Sequence, residues 1–278
     1  MKIETLKISG SIVLFKNEEN ILQDAIASFL NTDLNVLLYL IDNSPTDILR
    51  RICEDRRVIY IHNPSNPGFG AAHNIAIKMA AKDNADYHLV LNPDVYYNNG
   101  VLEELTQYME DNRDIGNIMP KVLYPNDDTQ HLCKLLPTPY DWIGRRFNPI
   151  KSMVAKRNDL FELRFTGYDK IMDVPYLSGC FMYLRMSAIN KVGLFDERIF
   201  MYGEETDLCR RLIDGGYRTV FYPKVHIYHH FDKGSHKSWR LTKIGMQSAL
   251  YYFNKWGWFF DKKRSLINKS ILSKLKSS

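Results

Sequence analysis

Five carboxylates fall within twelve residues of the stretch GLFDERIFMYGEETDLCRRL: Asp196, Glu197, Glu204, Glu205 and Asp207. They bracket Phe200 and Tyr202. If a helix starts near Glu204, then Glu204 and Asp207 share a face and Glu205 points about 100° away. Acidic residues in a first turn also complement the helix dipole, which accounts for any one of them but not for the aromatic wall. A carboxylate held against such a wall has a raised pKa and suits general-base chemistry. A second candidate lies in LVLNPDVYY, where an apolar run stops at Asn92-Pro93-Asp94. The proline removes a ladder donor and fixes the backbone, so Asp94 is expected at the rim of a sheet. One carboxylate with ligand phosphate oxygens is a common way to hold Mg²⁺ or Mn²⁺. The same three residues also favour an Asx-type turn.

Three further segments carry polar signatures. In LIDNSPTD, Asp42 ends an apolar run and is placed to accept a hydrogen bond from a base or a ribose hydroxyl. Ser44 with Asp47 three residues later also reads as a helix cap, with Pro45 at the first helical position. NPGFGAAHN has Gly68 and Gly70, but His73 stands where a dinucleotide fingerprint needs its third glycine. The glycine pair still allows a ligand to approach closely, and Asn66 and Asn74 supply uncharged amides. Finally, VHIYHHFDKGSHKS holds His226, His229, His230 and His236. His226 and His229 would face opposite sides of a strand, and a neutral imidazole is a suitable Mn²⁺ ligand beside a carboxylate.

The elements that position these residues alternate. Strand-like runs at 8–15, 35–42, 57–63 and 87–93 are separated by helix-like segments. In the first of these, Ile21, Ala25, Ile26 and Phe29 share a face. The pattern predicts an α/β fold with right-handed crossovers and a mainly parallel central sheet flanked by helices. Ligands bind such sheets at the carboxyl ends of the strands, where IDNS, IHNPSNPGFG and LNPD all fall. Residues 124–172 lose periodicity and read as an irregular, partly mobile excursion. Order returns with a strand over VPYLSGCFMYLRM and a helix ending at Gly193.

The composition is that of a globular protein, with 45% hydrophobic and 25% charged residues. No apolar run reaches the roughly 18 residues of a membrane span, and the first residues read as a strand, not a signal peptide. The scattered Cys53, Cys133, Cys180 and Cys209 have no metal-ligand spacing and read as reduced thiols in a cytoplasmic protein. Residues 255–278 hold seven Lys/Arg and one Asp, so this end carries +6 of a net +5 and the rest of the chain −1. That argues against a nucleic-acid groove across the fold. Trp256, Trp258, Phe259 and Phe260 interleave with these lysines, and Ile267, Ile271 and Leu275 recur at helical spacing. The end therefore reads either as a basic aromatic tail lying peripherally on an anionic membrane or as a segment whose aromatic start packs on the catalytic domain while its end frays.

In this order, SIVLFKNEENILQDAIASF, LIDNSPTD, NPGFGAAHN, LVLNPDV, SGCFMYLRMSAINKVGLFDERIFMYGEETDLCRR and YPKVHIYHH resemble the family 2 glycosyltransferases, in particular their rhamnosyltransferase branch. The resemblance implies a GT-A fold over 1–254, with a nucleotide-sugar half at 1–123 and an acceptor and catalytic half at 173–232. It implies a nucleotide-diphosphate sugar donor, dTDP-rhamnose or a UDP-sugar, a Mn²⁺ or Mg²⁺ ion, and a saccharide or lipid-linked acceptor in surface polysaccharide assembly. It assigns the metal to Asp94 and His229, and the nucleotide sugar to Phe15, Asp42, Asn66, Gly68, Asn74, Asn92 and Asp94. Gly179 and Tyr202 fall to the acceptor and sugar site, and the catalytic group to Glu205 with Glu204 and Asp207. Glu205 departs from the family pattern, where aspartate is usual. Two rival functions stay open from the sequence. A sugar nucleotidyltransferase would want a glycine-rich basic loop where KNEEN stands, and a non-enzymatic nucleotide- or carbohydrate-binding module would not need Asp94 and Glu205 together.

Overall fold

The computed structural model describes residues 3–145, 148–230 and 239–277. His236 lies outside the described residues. Strands β1 (Lys7–Leu14), β2 (Asn35–Asp42), β3 (Val58–His62) and β4 (Tyr87–Leu91) alternate with helices α1 (Glu19–Leu30) and α2 (Phe69–Lys82). All the pairings among these four strands are parallel, as the sequence pattern requires. β4 is buried at every residue, which is why it reads as a continuous apolar run. In α1 the fully buried face is Leu22, Ala25, Ile26 and Phe29, with Leu22 in the role expected of Ile21.

The second half completes the sheet. Strand β5 (Val95–Tyr96), helix α3 (Val101–Asp111) and strand β6 (Ile115–Leu123) come first. After β7 (Cys133–Lys134), α4 (Lys151–Phe161), β8 (Met172–Asp173) and β9 (Tyr176–Leu177) come β10 (Phe181–Arg185), α5 (Met186–Val192), α6 (Glu204–Asp214) and β11 (Arg218–His229). The large sheet runs β3-β2-β1-β4-β10-β6-β11-β5, with β8 joined to β11, and β7 and β9 form a separate pair. β10 lies antiparallel between β4 and β6. It ties the two halves at the point where the Asn92 N–H donates to the Cys180 carbonyl (2.9 Å).

Three expectations change. LSGC breaks the strand predicted over 174–186 into β9 and β10. The segment read as an irregular excursion contains β7, a π turn (Tyr140–Gly144) and α4. No α-helix begins at Ser44; a 3-10 turn spans Ile48–Ile52. The Ser44 Oγ instead accepts the Lys16 N–H (2.8 Å), and the Ser44 N–H donates to Asp42 Oδ1 (2.8 Å). Asp42 thus makes an Asx-type turn that ends β2 without starting a helix.

The carboxyl-terminal segment folds back as α7 (Trp239–Trp256) and α8 (Lys262–Ser277). Buried Arg210 forks onto Asp261 at 2.5 and 2.9 Å, and Asp261 Oδ1 caps α8 by accepting the Arg264 N–H (2.9 Å). Ile271 and Leu275 pack on the main core. Ile271 and Leu275 of the tail's apolar stripe therefore face the protein, which corrects both the reading of the stripe as a membrane face and the expectation that the end frays, since the helix continues to Ser277. Phe259 and Phe260, in the turn between the two helices, stay 75% and 99% exposed.

A buried hydrogen-bonded chain joins β1, β4 and α2. Ser9 gives its proton to the Tyr87 carbonyl (3.1 Å), so it accepts from His88 Nδ1 (2.8 Å). His88 Nε2 then accepts from Ser11 (2.7 Å), and Ser11 accepts from His73 Nδ1 (2.7 Å). Both histidines are neutral in this arrangement, and His73 Nε2 has no partner among the described residues. Burial pushes the His88 pKa down to about 3 and that of His73 well below the ordinary value near 6.5. The unfolded chain therefore binds protons below pH 6.5 that the folded one does not, and stability must fall with pH in that window. The expected slope for each histidine rises from about 0.7 kcal/mol per pH unit at pH 6.5 towards about 1.4 at pH 5, and His88→Gln should remove its share. Unfolding midpoints that stay constant over this range would show that the histidines are not held neutral.

Candidate active site

Asp94 follows β4 through Asn92-Pro93, at the carboxyl end of the sheet. Its Oδ1 lies 3.4 Å from Nε2 of His229, the last residue of β11. His229 Nδ1 donates to Gln130 Oε1 (3.0 Å), and Gln130 Nε2 donates back to the His229 carbonyl (2.7 Å). This clamp fixes the ring, with Nε2 turned towards Asp94. Burial pulls the Asp94 pKa up, but the His229 contact, a backbone hydrogen bond and nearby His230 outweigh it and hold the carboxyl below its usual range. An anionic oxygen and an oriented imidazole nitrogen are a donor set that fits Mn²⁺ or Mg²⁺. Among the described residues no third His, Cys, Asp or Glu joins them, so oxygens of a bound ligand and water would complete the coordination. His226 is exposed on the other face of β11.

The acidic cluster separates into different fates. Tyr202 and Gly203 both have positive φ (70° and 117°) at the entry to α6. A Cβ on Gly203 would meet Trp142 at 2.4 Å, so only glycine fits there. This turn directs Glu205 into a cavity of about 240 Å³ lined by Tyr176, Tyr202, Trp142 and Lys134 among others. Glu205 Oε1 accepts from the Tyr176 hydroxyl (3.1 Å) and Oε2 from the Gly203 N–H (2.9 Å). Glu204 is buried, with Oε2 unpartnered. Burial first, and then the charge of Glu205, push its pKa well up, so it is the protonated member of the pair. Asp207 belongs to the other side of the helix, away from the cavity. It is fully buried and bound by Arg211 (2.8 Å), Lys255 (2.7 Å) and Trp256 Nε1 (2.8 Å). Its expected place among the catalytic groups is corrected: it anchors α7.

The nucleotide-side residues gather around the ends of β1, β2 and β3. Phe15 is 51% exposed after β1. Asp42 is buried, with Oδ1 taken by Ser44 N–H and Oδ2 by the Tyr60 hydroxyl. Asn66 accepts from Asn43 (3.3 Å) at a positive φ of 45°. Gly68 corrects the expectation of a close ligand approach, because a Cβ there would meet the Phe200 carbonyl oxygen at 2.3 Å. The tight partner of the glycine pair is the protein's own backbone. Asn74 is likewise a brace: it donates to the Phe195 carbonyl (2.9 Å) and Glu197 (3.0 Å) and accepts the Phe195 N–H (3.0 Å). Gly179 sits beside the cavity, where a Cβ would lie 3.6 Å from that of Glu205.

Sequence reasoning missed Gln130, Lys134, Trp142 and Tyr176. The first three lie in the segment without periodicity, and Tyr176 lay hidden in a long strand-like run. No local signal marks them, since each acts through a partner distant in sequence.

A mostly parallel sheet with a carboxylate–imidazole pair at its carboxyl edge, and a second carboxylate facing a walled cavity, has the architecture of a GT-A glycosyltransferase. The solved structure of GalNAc-T7 with UDP, GalNAc and Mn²⁺ superposes with a TM-score of 0.60 over 81% of this chain and 43% of that chain, at 16% identity. Residues 11–193 match the model of glycosyl transferase family 2, and the chain belongs to that family. It is 25% identical over 270 residues to the rhamnosyltransferase WbbL of Escherichia coli (strain K12), covering 94% of this chain and 95% of the relative. It is 28% identical over 216 residues to the N-acetylglucosaminyl-diphospho-decaprenol L-rhamnosyltransferase of Mycobacterium tuberculosis, covering 72% of this chain and 68% of that protein. The chain is a nucleotide-sugar glycosyltransferase of glycan assembly, which sets aside the nucleotidyltransferase and binding-module readings.

Proposed function

We propose that this chain transfers rhamnose from dTDP-rhamnose to a lipid-linked saccharide, in a metal-dependent reaction that inverts the anomeric centre. The observation that carries the chemistry is the Glu205 carboxylate, held by Tyr176 and Gly203 and facing the cavity. Rhamnose as the sugar is supported by the two rhamnosyltransferase relatives; a UDP-sugar is the second donor class. Asp94 and His229 would hold a Mn²⁺ or Mg²⁺ ion, which supplies Lewis-acid neutralisation of the diphosphate charge.

The remaining work falls to Glu205. It accepts the proton of the acceptor hydroxyl as that oxygen bonds to the anomeric carbon. The bond from that carbon to the diphosphate oxygen breaks, and its electrons leave with the nucleotide diphosphate. One displacement inverts the centre, with no covalent enzyme intermediate. Tyr176 and the Gly203 N–H fix the direction of the carboxylate, and neutral Glu204 avoids a second negative charge beside it. Glu205→Gln should lower turnover by roughly 10²–10⁴-fold with donor binding close to wild type, measured by release of dTDP and by nucleotide calorimetry. Turnover within a few-fold of wild type would place the base elsewhere.

Among the described residues no helix is long and apolar enough to cross a membrane. Peripheral contact with the anionic cytoplasmic face of a membrane is proposed through exposed Phe259 and Phe260, next to Lys262 and Lys263, a combination suited to an anionic interface. Replacing both phenylalanines by serine should reduce sedimentation with phosphatidylglycerol vesicles and leave the unfolding midpoint nearly unchanged. Undiminished sedimentation would rule out this contact.

A further inference from the structure

One wall of the cavity in front of Glu205 is the stretch 134–145, which contributes Lys134, Pro137, Asp141, Trp142 and Arg145 to the lining. Only its first residue belongs to a strand, because β7 ends at Lys134. The rest must be held in place by elements outside the sheets. Helix α4 grips the wall through Arg157 on Asp141 (2.5 and 2.6 Å) and through the Phe161 carbonyl, which accepts the Leu135 N–H (2.9 Å). Yet α4 buries only Phe161, so it is a weak anchor for the wall it holds.

Helix α8 supplies a firmer one. The Asn268 side chain serves both backbone groups of buried Leu136: Oδ1 accepts its N–H (3.0 Å) and Nδ2 donates to its carbonyl (2.9 Å). One turn earlier, buried Arg264 donates to the carbonyls of Pro137 (3.3 Å) and Trp258 (2.9 Å). Buried backbone groups are costly to leave unpaired, so these bonds tie the wall to wherever α8 sits. That place is set by the fork of Arg210 onto Asp261 and by Ile271 and Leu275 on the core. Arg210 lies on α6, as Glu205 does.

The contacts therefore close a ring. It runs from Glu205 along α6 to Arg210, across Asp261 into α8, and across Asn268 to Leu136. From there it follows the wall to Trp142, which packs against Gly203, and the Gly203 N–H holds Glu205. We propose that α8 is a working part of the acceptor site, with Asn268 and Arg264 as positioning residues that hold the 134–145 wall at a fixed distance from Glu205. The carboxyl-terminal segment then belongs to the catalytic unit and is not an appendage to it. The proposal rests on the reading of Glu205 as the base, since that reading puts the acceptor in this cavity.

Hydrogen exchange followed by mass spectrometry on the full chain tests this, with carbodiimide labelling of Glu205 as a second readout. In Asn268→Ala, exchange across 134–145 should rise about tenfold or more and Glu205 should label faster, while the amides of β1 and β4 exchange as in wild type. Asn268→Gln keeps both amide groups and should recover much of the wild-type behaviour. Lys269→Ala, exposed in the same turn, should match wild type. In transfer from dTDP-rhamnose to a lipid-linked saccharide, Asn268→Ala should raise the acceptor KM about tenfold and leave the donor KM close to wild type. Faster exchange confined to α8, with 134–145 and Glu205 unchanged, would reduce Asn268 to a fastening of the tail and overturn the proposal. Equal effects from Lys269→Ala would overturn it too. A Glu205→Gln enzyme that kept full turnover would refute the base while leaving the exchange result intact, so the two failures are distinguishable.

Discussion

The site depends on one backbone contact, between the start of α2 and the segment that delivers α6. The Phe69 N–H donates to the Phe200 carbonyl (2.8 Å), and Gly68 lies so close to that residue that any side chain would collide with it. Two residues on, a Cβ at Gly70 would meet Phe195 at 2.9 Å and Glu204 at 3.4 Å. Asn74 completes the seam with its three contacts to Phe195 and Glu197. The chain between 195 and 203 is thereby pressed onto the amino end of α2. The left-handed turn at Tyr202-Gly203 then has only one direction in which to launch Glu204 and Glu205. Removing this seam would leave the sheet intact and the carboxylates without a fixed aim.

Electrostatics then divides the work among neighbours in sequence. Asp196 is tied to Arg198, Lys255 and Tyr251, and Asp207 to Arg211, Lys255 and Trp256. Lys255 bridges both, so α7 is fastened to the acidic segment by charge while its apolar face packs near Trp142. Glu204 is buried beside the Glu205 charge, which favours its protonated form, and Glu205 is presented to the cavity by two neutral donors. Holding a carboxylate with a hydroxyl and an amide, and not with a cation, fixes its direction without capturing it in an ion pair. A group held in that way can accept a proton.

Much of this was legible in the sequence, and the pattern of what was not is physical. The strand–helix alternation of the first half, the turn that sets Asp94 at the sheet edge and the helix beginning at Glu204 follow from local rules of burial, proline geometry and periodicity. The opposed faces of His226 and His229 follow from strand alternation alone. Ser44 misled because its hydroxyl found the Lys16 N–H across the β1 end, a long-range partner that outcompeted helix capping. The glycines at 68 and 70 announced a close approach but not its partner, which lies some 130 residues away. Gln130, Lys134 and Tyr176 act only through tertiary neighbours, so no window of sequence marks them. Asp207 stood as a secondary catalytic candidate on the face opposite Glu205, and only the tertiary structure, where Arg211, Lys255 and Trp256 converge on it, shows that its charge is taken up.

The central claim is that Asp94 and His229 make the donor site metal-dependent, and thermal unfolding tests it most directly. Wild type and Asp94→Ala would be unfolded with dTDP, UDP or GDP, each with and without Mn²⁺. A nucleotide at 100 times its dissociation constant adds about 2.7 kcal/mol, and a chain of this length should move by roughly 2–4 °C per kcal/mol. The account predicts a shift of roughly 5–10 °C with dTDP that requires Mn²⁺ and vanishes in Asp94→Ala. No metal-dependent shift with any of the three nucleotides, or a full shift retained in the variant, would contradict it.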